Sequence, residues 1–297
     1  MDQSINSNES VSSTGFGSAG QTIAMMNAPF DADKIRGGLA NDTLTRLSQL
    51  TVLEAVDSTN SVVSALARDQ QHAHAVLADQ QTGGRGRRQR SWHSPPGGNI
   101  YLSLGWCFDS LQFPLSTLPL VVAIAICRAL ERAGLEGHGI KWPNDILSNN
   151  RKLAGILVEM QSAGTGPVLA VLGVGLNVFM PEAETLQTQK IIDRPWTDLS
   201  SELGEQVNPV NRDELVAILL DELFRTLKVF ESGGFEALRP EWVKRDLLQG
   251  SEIRLEHTDG LLSGVVKGVN RDGGLLLYSD DRGIETFHSG EVSIPRG

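Results

Sequence analysis

The longest apolar segment of the chain, residues 115–130, places the first limit on its fold. Two hydroxyl residues, a proline and an arginine interrupt this segment, which therefore falls short of the ~20 continuous apolar residues that a membrane-spanning helix needs. The pattern predicts instead a buried helix over residues 115–133, with Gly134 as its C-cap. We therefore expect no membrane partner.

Short strand-like segments lie on both sides of this predicted helix. They cover residues 53–56, 75–78, 99–106, 139–142 and 168–175, with a hairpin over residues 145–159 that turns at residues 148–150. Helical patterning is weak around residues 43–50. It is strong over residues 211–231, where Asn211 and Glu214 have the spacing of a capping box.

The character of the sequence changes at Gly250. From there onward, short strands alternate with Asp-Gly turns, a pattern that predicts a small β-barrel. Residues 1–28 are rich in Ser, Asn, Gly and Gln, and this composition predicts a disordered tail. We therefore divide the chain into that tail, a main domain over residues 29–249 and a barrel over residues 250–297.

Charge and cysteine content limit the partners and the compartment. The 36 acidic and 26 basic residues give a formal net charge of −10, which argues against broad binding to a phosphate backbone. Before Thr51 the only basic residues are Lys34, Arg36 and Arg46, so a DNA-binding module is not expected there. The two cysteines offer neither a disulfide framework nor a zinc cluster, and the N-terminus lacks a secretory signal. We therefore expect a cytoplasmic protein.

The most informative segment is the loop over residues 83–92, which contains four arginines and three glycines. Glycines let a backbone approach a ligand closely, and arginines present fixed forks to phosphate or carboxylate oxygens. The composition alone fits a disordered Arg-Gly segment that contacts RNA equally well. The position of the loop between two predicted buried strands, with Trp92 at its end, favours an anion-binding site in a folded domain.

Residues 141–145, with the sequence Lys-Trp-Pro-Asn-Asp, form a second candidate. A lysine at a strand end, beside a proline that fixes the turn, can direct its ammonium group at a phosphate. Asp145 can orient Lys141 or hold Mg²⁺, whose preferred ligands are oxygens. A plain turn between two strands explains the same residues, and it is the simpler interpretation of this segment taken alone.

Three further segments are less specific. Lys152 begins a predicted buried strand, in which Gly155 indicates either a ligand or backbone that approaches closely or a β-bulge. Residues 57–60 (Asp-Ser-Thr-Asn) are typical of a helix N-cap, and their polar groups also suit an uncharged polar ligand. Residues 173–177 are mostly small and lie at a strand end, a pattern that recurs in many proteins.

The sequence lacks the conventional catalytic sets. It contains no G-x-S-x-G elbow, no H-E-x-x-H pair and no G-x-x-x-x-G-K-[ST] loop, and its six histidines show no metal-ligand spacing. Positive charge, glycine and amide groups remain. That combination suits phosphorus chemistry driven by positioning and charge neutralisation, without a protein nucleophile.

Taken together and in this order, the segments resemble biotin–protein ligases. The matching segments are residues 57–60, 81–92, 94–95, 99–103, 141–145, 151–159 and 173–177, and residues 290–293 resemble the end of the family's small barrel. The resemblance runs from about residue 53 to the C-terminus. It implies an α+β fold, in which a mixed-sheet catalytic domain of the class II aminoacyl-tRNA synthetase type is followed by an SH3-like β-barrel.

The resemblance also implies roles for individual residues. Those expected to bind biotin or to surround it are Ser58, Thr59, Asn60, Gln81, Arg85, Gly86, Arg87, Trp92, Lys152 and Gly155. Those expected near ATP are Arg87, Lys141, Asn144 and Asn177. Arg87 and Lys152 are the expected catalytic residues, and Asp145 is a candidate metal ligand.

By the same resemblance, the substrates are biotin and ATP, with Mg²⁺, and the reaction has two steps. The biotin carboxylate attacks the α-phosphorus of ATP, which gives biotinyl-AMP and pyrophosphate. A lysine of a biotin carboxyl carrier protein then attacks the mixed anhydride and expels AMP. The arginine loop is expected to close over this intermediate and exclude water. We expect a monomer or a homodimer without a DNA partner.

Two departures from the family pattern matter. Gln89 stands where the family often has glycine, which bears on the mobility of the loop. The N-terminal DNA-binding module of bifunctional members is missing, which argues against a repressor role.

Two other functions remain as alternatives. A lipoate or octanoate ligase shares the fold and the reaction type, but its arginine-led motif usually differs from residues 84–87. A nucleic-acid-binding protein is the alternative from a different class. The segment from Gly250 onward has five basic against eight acidic residues and thus offers no basic face.

Overall fold

The computed structural model describes residues 29–109, 112–162, 167–180, 195–204, 211–258 and 260–294. The predicted disordered tail over residues 1–28 lies outside the described residues. Within the described ranges, no helix combines the length and the apolar character that a membrane crossing demands.

A seven-stranded mixed sheet forms the centre of the larger part of the molecule. Its strands are β1 (Gln49–Val56), β2 (His74–Gln81), β3 (Ile100–Phe108), β4 (His138–Lys141), β5 (Asp145–Ser148), β6 (Arg151–Gln161) and β7 (Val168–Leu176). The spatial order is β1-β2-β3-β7-β6-β5-β4, in which β1 and β2 are parallel and the other neighbours antiparallel. Each strand predicted from the sequence is confirmed. The patterning over residues 43–50 divides between a short helix and the start of β1.

Seven α-helices surround this sheet in the part of the chain that the structure describes. They are α1 (Ala32–Gly38), α2 (Asn41–Arg46), α3 (Thr59–Ala65), α4 (Leu118–Arg132), α5 (Leu199–Leu203), α6 (Arg212–Gly233) and α7 (Arg239–Arg245). The helix predicted over residues 115–133 is confirmed as a 3₁₀ turn followed by α4. Eleven of the fifteen residues of α4 are buried, because the helix packs against both the sheet and α6.

The two predicted helix caps have different outcomes. Asn211 caps α6 as expected, because its side chain accepts from the backbone N–H groups of Asp213 and Glu214. At α3 the expected cap is wrong. Ser58 occupies the N-cap position without a side-chain capping bond, and the amide oxygen of Gln81 accepts from the backbone N–H of Thr59 at 3.0 Å. The cap comes from the end of β2, which runs beside the start of α3.

A second, five-stranded antiparallel sheet follows near the C-terminus. It consists of β8 (Glu252–His257), β9 (Gly260–Val269), β10 (Leu275–Ser279), β11 (Gly283–Phe287) and β12 (Glu291–Ser293), in the order β11-β10-β9-β8-β12. This small domain is SH3-like, and the α+β class predicted for the whole chain is confirmed. Its buried residues belong to the same apolar cluster as the core of the large sheet. The two sheets are therefore packed together rather than separated by a bare linker.

Candidate active site

A cavity of about 510 Å³ opens where the strand ends of the large sheet, the arginine loop and β12 meet. All of the residues that the sequence assigned to a site line this cavity. They are Ser58, Thr59, Asn60, Gln81, Arg85, Gly86, Arg87, Trp92, Lys141, Asn144, Asp145, Lys152, Gly155 and Asn177. Residues separated by more than a hundred positions in the chain are thus brought to one place.

The floor of the cavity is shaped by two glycines and one indole ring. Gly155 and Gly175 lie opposite each other in the β6–β7 pairing. A Cβ atom at Gly155 would come 2.7 Å from Cζ3 of Trp92, and one at Gly175 would come 2.6 Å from its Nε1. The close approach predicted at Gly155 is therefore made by the indole rather than by backbone. The indole Nε1 is buried against Gly175 without a hydrogen-bond partner among the described residues.

Lys152 and Asp145 form an ion pair at one side of this floor. Lys152 Nζ lies 2.7 Å from Asp145 Oδ1 and 5.0 Å from the centroid of the Trp92 ring. The register of β5 and β6 shifts between Ile146 and Leu147, beside Leu153, whereas Gly155 pairs regularly with Asp145, so Gly155 itself does not mark a β-bulge. Asp145 lies opposite Gly155, whose missing side chain leaves room for the lysine. Asp145 also lies opposite Lys141 in the β4–β5 pairing, and its ion pair with Lys152 is one that the sequence did not predict.

The far end of the cavity is polar but mostly uncharged. The Ser103 hydroxyl lies 2.7 Å from Thr59 Oγ1 and 2.6 Å from Asn60 Oδ1, while Asn60 Nδ2 donates to Glu159 at 2.7 Å. Ser58, Thr59, Asn60 and Ser103 are all buried. Since buried polar groups are costly unless they are hydrogen-bonded, this network holds its hydroxyl and amide groups in fixed positions. Such an arrangement can recognise a neutral ligand with donors and acceptors.

Sequence reasoning missed two members of this network. Ser103 is the one serine or threonine in the mostly apolar and buried strand β3, and a buried aliphatic hydroxyl of that kind is a usable signal. Glu159 accepts from Asn60 and also from the Arg85 guanidinium at 3.1 Å. Its role depends on a contact across 74 positions, which no local pattern reveals.

The opposite end of the cavity carries positive charge. Arg87 Nη1 donates to Asn144 Oδ1 at 3.2 Å, and Asn144 Nδ2 donates to the Ile156 carbonyl at 2.8 Å, which fixes the amide. Burial, and then the neighbouring Arg88 cation, lower the pKa of Arg87 from its ordinary value. The hydrogen-bond partner of Arg87 is the neutral amide of Asn144, so its charge is poorly compensated. A bound anion would supply the missing compensation.

Asn177 closes this region from the end of β7. It is buried, and its Nδ2 donates to the Thr197 carbonyl at 2.9 Å. The side chain therefore ties β7 to the segment before α5, which also lines the cavity through Trp196.

The described residues contain no group of three or more His, Cys, Asp or Glu side chains that would hold a metal by themselves.

Comparison with known proteins agrees with this geometry. The family model described as Biotin/lipoate A/B protein ligase family matches residues 52–177, and the one described as Biotin protein ligase C terminal domain matches residues 249–294. The bifunctional ligase/repressor BirA of Escherichia coli (strain K12) is 31% identical, over 92% of this chain and 79% of its own length. The biotin–[acetyl-CoA-carboxylase] ligase of Paracoccus denitrificans is 31% identical, over 81% of this chain and 98% of its own.

A solved structure leads to the same family. The biotin protein ligase from Aquifex aeolicus, in complex with biotin and ATP, superimposes with a TM-score of 0.68 at 28% identity, covering 84% of this chain and 99% of that one. Family models, relatives and fold thus agree across both sheets, and the cavity lies where the two sheets meet. The chain belongs to the Biotin/lipoate A/B protein ligase family, and within it to the biotin–protein ligases.

Proposed function

We propose that this chain activates biotin with ATP to form biotinyl-5′-AMP and then transfers biotin to a lysine of a biotin carboxyl carrier protein. It is thus a ligase that forms a C–N bond. The observation that carries this proposal is the polarity of one continuous cavity. A buried, hydrogen-bonded neutral end lies on one side of Trp92, and a cationic end lies on the other. The Aquifex relative, whose structure holds biotin together with ATP, has the same fold.

The neutral end suits the ureido ring of biotin, which has both donors and acceptors but no charge. Ser58, Thr59 and Asn60 present hydroxyl and amide groups there, and Gln81 holds the Thr59 backbone in place. The Trp92 indole forms the apolar floor along which the remainder of biotin would lie. Because Gly155 and Gly175 have no side chains, the indole can pack directly against the sheet.

The cationic end suits the new bond between the biotin carboxylate and the α-phosphorus. Arg87 and Lys152 would hold the carboxylate and phosphoryl oxygens in line and offset the charge that grows on them. Preorganised groups of this kind typically account for ~10²–10³-fold in rate each. Lys141, Asn144 and Asn177 would surround the nucleotide.

A magnesium ion fits this arrangement through Asp145. Mg²⁺ commonly takes one or two protein carboxylates and completes its coordination with substrate phosphates and water. Asp145 supplies one carboxylate beside the cationic end, and its partner Lys152 would turn to the phosphate. When bound, the ion would offset phosphate charge.

The second step needs protection of the mixed anhydride from water. Residues 83–92 pass across the mouth of the cavity, with Gly86, Arg87 and Trp92 in its lining. This loop would keep the adenylate in place until a carrier lysine attacks the carbonyl carbon and AMP departs.

The proposal is tested by ATP–pyrophosphate exchange, measured with biotin and, separately, with lipoate. We expect exchange that depends on biotin and is far weaker with lipoate, because the neutral end fits a ureido ring. Loss of exchange in Lys152→Met would locate the chemistry in this cavity. Lys244→Met, on the exposed side of α7, is the matched control and should keep the exchange. Exchange with lipoate that equals or exceeds exchange with biotin would contradict the proposal and favour the lipoate alternative.

The domain division and the cellular context belong to the same proposal. We place the catalytic domain at residues 29–249 and the SH3-like barrel at residues 250–297. The match of residues 249–294 to a C-terminal domain model supports the boundary near residue 250. We propose a cytoplasmic enzyme, monomeric or homodimeric, that acts on a carrier protein and does not bind DNA. The proposal that it does not bind DNA is supported by the described residues before β1, which carry as many acidic as basic side chains.

A further inference from the structure

The tip of the arginine loop, residues 88–90, contacts the C-terminal barrel. Arg90 Nη1 donates to Glu291 Oε1 at 2.7 Å, and its Nη2 contacts the other oxygen of the same carboxylate. Arg88 Nη1 lies 3.8 Å from that carboxylate, and Arg88 Nη2 donates to the Glu256 carbonyl at 3.3 Å. Two cations of the loop thus share one barrel carboxylate.

The position of Glu291 is set by the barrel. Glu291 pairs with Glu256 across β12 and β8, and the next residue, Val292, is buried in the barrel core. Because successive side chains of a strand point to opposite faces, burial of Val292 turns Glu291 outward. The Glu291 side chain is nevertheless only 15% exposed, since the loop covers it. Gly290, Glu291 and Val292 all line the cavity.

The loop tip needs such an external contact. Arg88 has φ 55° and ψ 37°, and Gln89 has φ 60°. Two successive residues with long side chains are thus in the left-handed region, which arginine and glutamine rarely adopt. The inner part of the loop is held by its own backbone, with bonds from Gly86 N to the Arg90 carbonyl and from Trp92 N to the Gly84 carbonyl. The tip is closed by a bond from Arg90 N to the Arg87 carbonyl, and its arginine side chains bind the barrel.

We propose that Glu291 is a positioning residue for the ligation reaction. By pairing with Arg88 and Arg90, it holds the arginine loop against the barrel and so fixes Arg87 and Trp92, which lie one and two residues from those arginines, at the cavity. The barrel is then part of the closing device for the adenylate. This inference rests on the proposed function for its catalytic consequence but not for the contact itself.

The contact is tested by hydrogen exchange of the peptide covering residues 84–92, in the full chain without ligands. Glu291→Gln keeps the shape of the side chain and removes its charge, and we expect exchange to become roughly threefold to tenfold faster, as for the loss of one or two partly exposed ion pairs. Glu252→Gln, on the exposed side of the same barrel, is the matched control and should not change exchange. The difference between wild type and Glu291→Gln should shrink in high salt. Equal exchange in the two proteins would overturn the inference.

The catalytic consequence is tested by the rate at which preformed biotinyl-AMP escapes from the enzyme. We expect roughly threefold to tenfold faster escape in Glu291→Gln, and a smaller effect in Glu291→Asp, which restores the charge. Arg90→Gln should give a similar increase. The double variant with Glu291→Gln should be little worse than either single variant, because both act through one contact.

The outcomes separate the two proposals. Faster exchange with unchanged adenylate escape would overturn the positioning role, and so would strictly additive effects of the two substitutions. If the wild-type chain formed no adenylate at all, the proposed function would fail, while the exchange comparison would still decide whether Glu291 holds the loop.

Discussion

At the scale of the residue, the shape of the cavity depends on what Gly155 and Gly175 lack. Each leaves a space that the Trp92 indole fills. The sequence identified Gly155 as a position of close approach, because glycine inside a strand is a local signal, and the family resemblance implied that Trp92 lies beside the ligand. That these two residues touch each other could not be predicted, since the contact depends on how the loop folds back onto β6 and β7.

Gly155→Ala should impair biotin activation. The added Cβ would lie 2.7 Å from Trp92 Cζ3, so the indole must move away from the floor. We expect KM for biotin to rise about tenfold or more in steady-state adenylation, because the displaced indole would no longer fit the ligand. Gly37→Ala, where a Cβ meets nothing within 4 Å, is the control. An unchanged KM in Gly155→Ala would contradict the assigned floor.

Arg87→Gly should weaken retention of the intermediate. The change removes a half-buried cation whose pKa is lowered by desolvation and by Arg88, and whose charge an anionic ligand would compensate. A hydrogen bond to a charged group contributes ~1.5–3 kcal/mol, so we expect adenylate to escape roughly tenfold to a hundredfold faster. Rapid gel filtration of preformed adenylate measures this rate, and Arg36→Gly in the exposed turn of α1 serves for comparison. Escape as slow as in wild type would count against the role of Arg87.

At the scale of the element, structure encoded by adjacent residues was predicted correctly, whereas contacts between residues far apart in the chain were not. The β5–β6 hairpin was placed correctly because its turn is encoded by adjacent residues: Asn149 and Asn150 both have positive φ, at 49° and 60°. The cap of α3 was assigned wrongly because its acceptor, Gln81, lies 22 residues away. The segment that connects α7 to the barrel also depends on a contact between residues far apart in the chain, because Asp246 pairs with Ile140 of β4.

Asp246 makes this joint sensitive to pH. Its Oδ1 accepts from the Leu248 backbone N–H, whereas Oδ2 is buried and has no hydrogen-bond partner in the described part of the chain. Burial raises the pKa of Asp246 from 3.8 to about 6. Between pH ~4 and ~6 the folded chain keeps a proton that the unfolded chain has lost, so the free energy of unfolding decreases as pH rises through this window. The total decrease is at most ~3 kcal/mol.

Asp246→Asn should therefore stabilise the protein at neutral pH. Asparagine keeps an acceptor for the Leu248 N–H and carries no charge, so the free energy of unfolding should rise by up to ~3 kcal/mol at pH 7 and change little at pH 4. Urea unfolding at pH 4, 5, 6 and 7 measures the difference. Asp281→Asn, in an exposed turn, is the control. A difference from wild type that is the same at every pH would show that the Asp246 carboxylate is not the cause.

At the scale of the whole molecule, one cavity draws on both sheets. A chain with a formal net charge of −10 gathers Arg85, Arg87, Arg88, Arg90, Lys141 and Lys152 around a single space. Composition predicted an acidic molecule, and the arginine loop between two predicted strands, together with the order of the motifs, indicated a basic site within it. The contribution of the barrel was not predicted, because the pairing of Arg90 with Glu291 spans 201 positions and leaves no trace in either local sequence.

The central claim is that this cavity makes biotinyl-AMP and passes the biotinyl group to a protein lysine. Mass spectrometry of a biotin carboxyl carrier domain, incubated with the full chain, biotin and MgATP, tests it most directly. We predict that the carrier gains the mass of one biotinyl group on a single lysine, and that the gain disappears when biotin or ATP is omitted. A carrier whose mass stays unchanged with the wild-type chain and both substrates present would contradict the account.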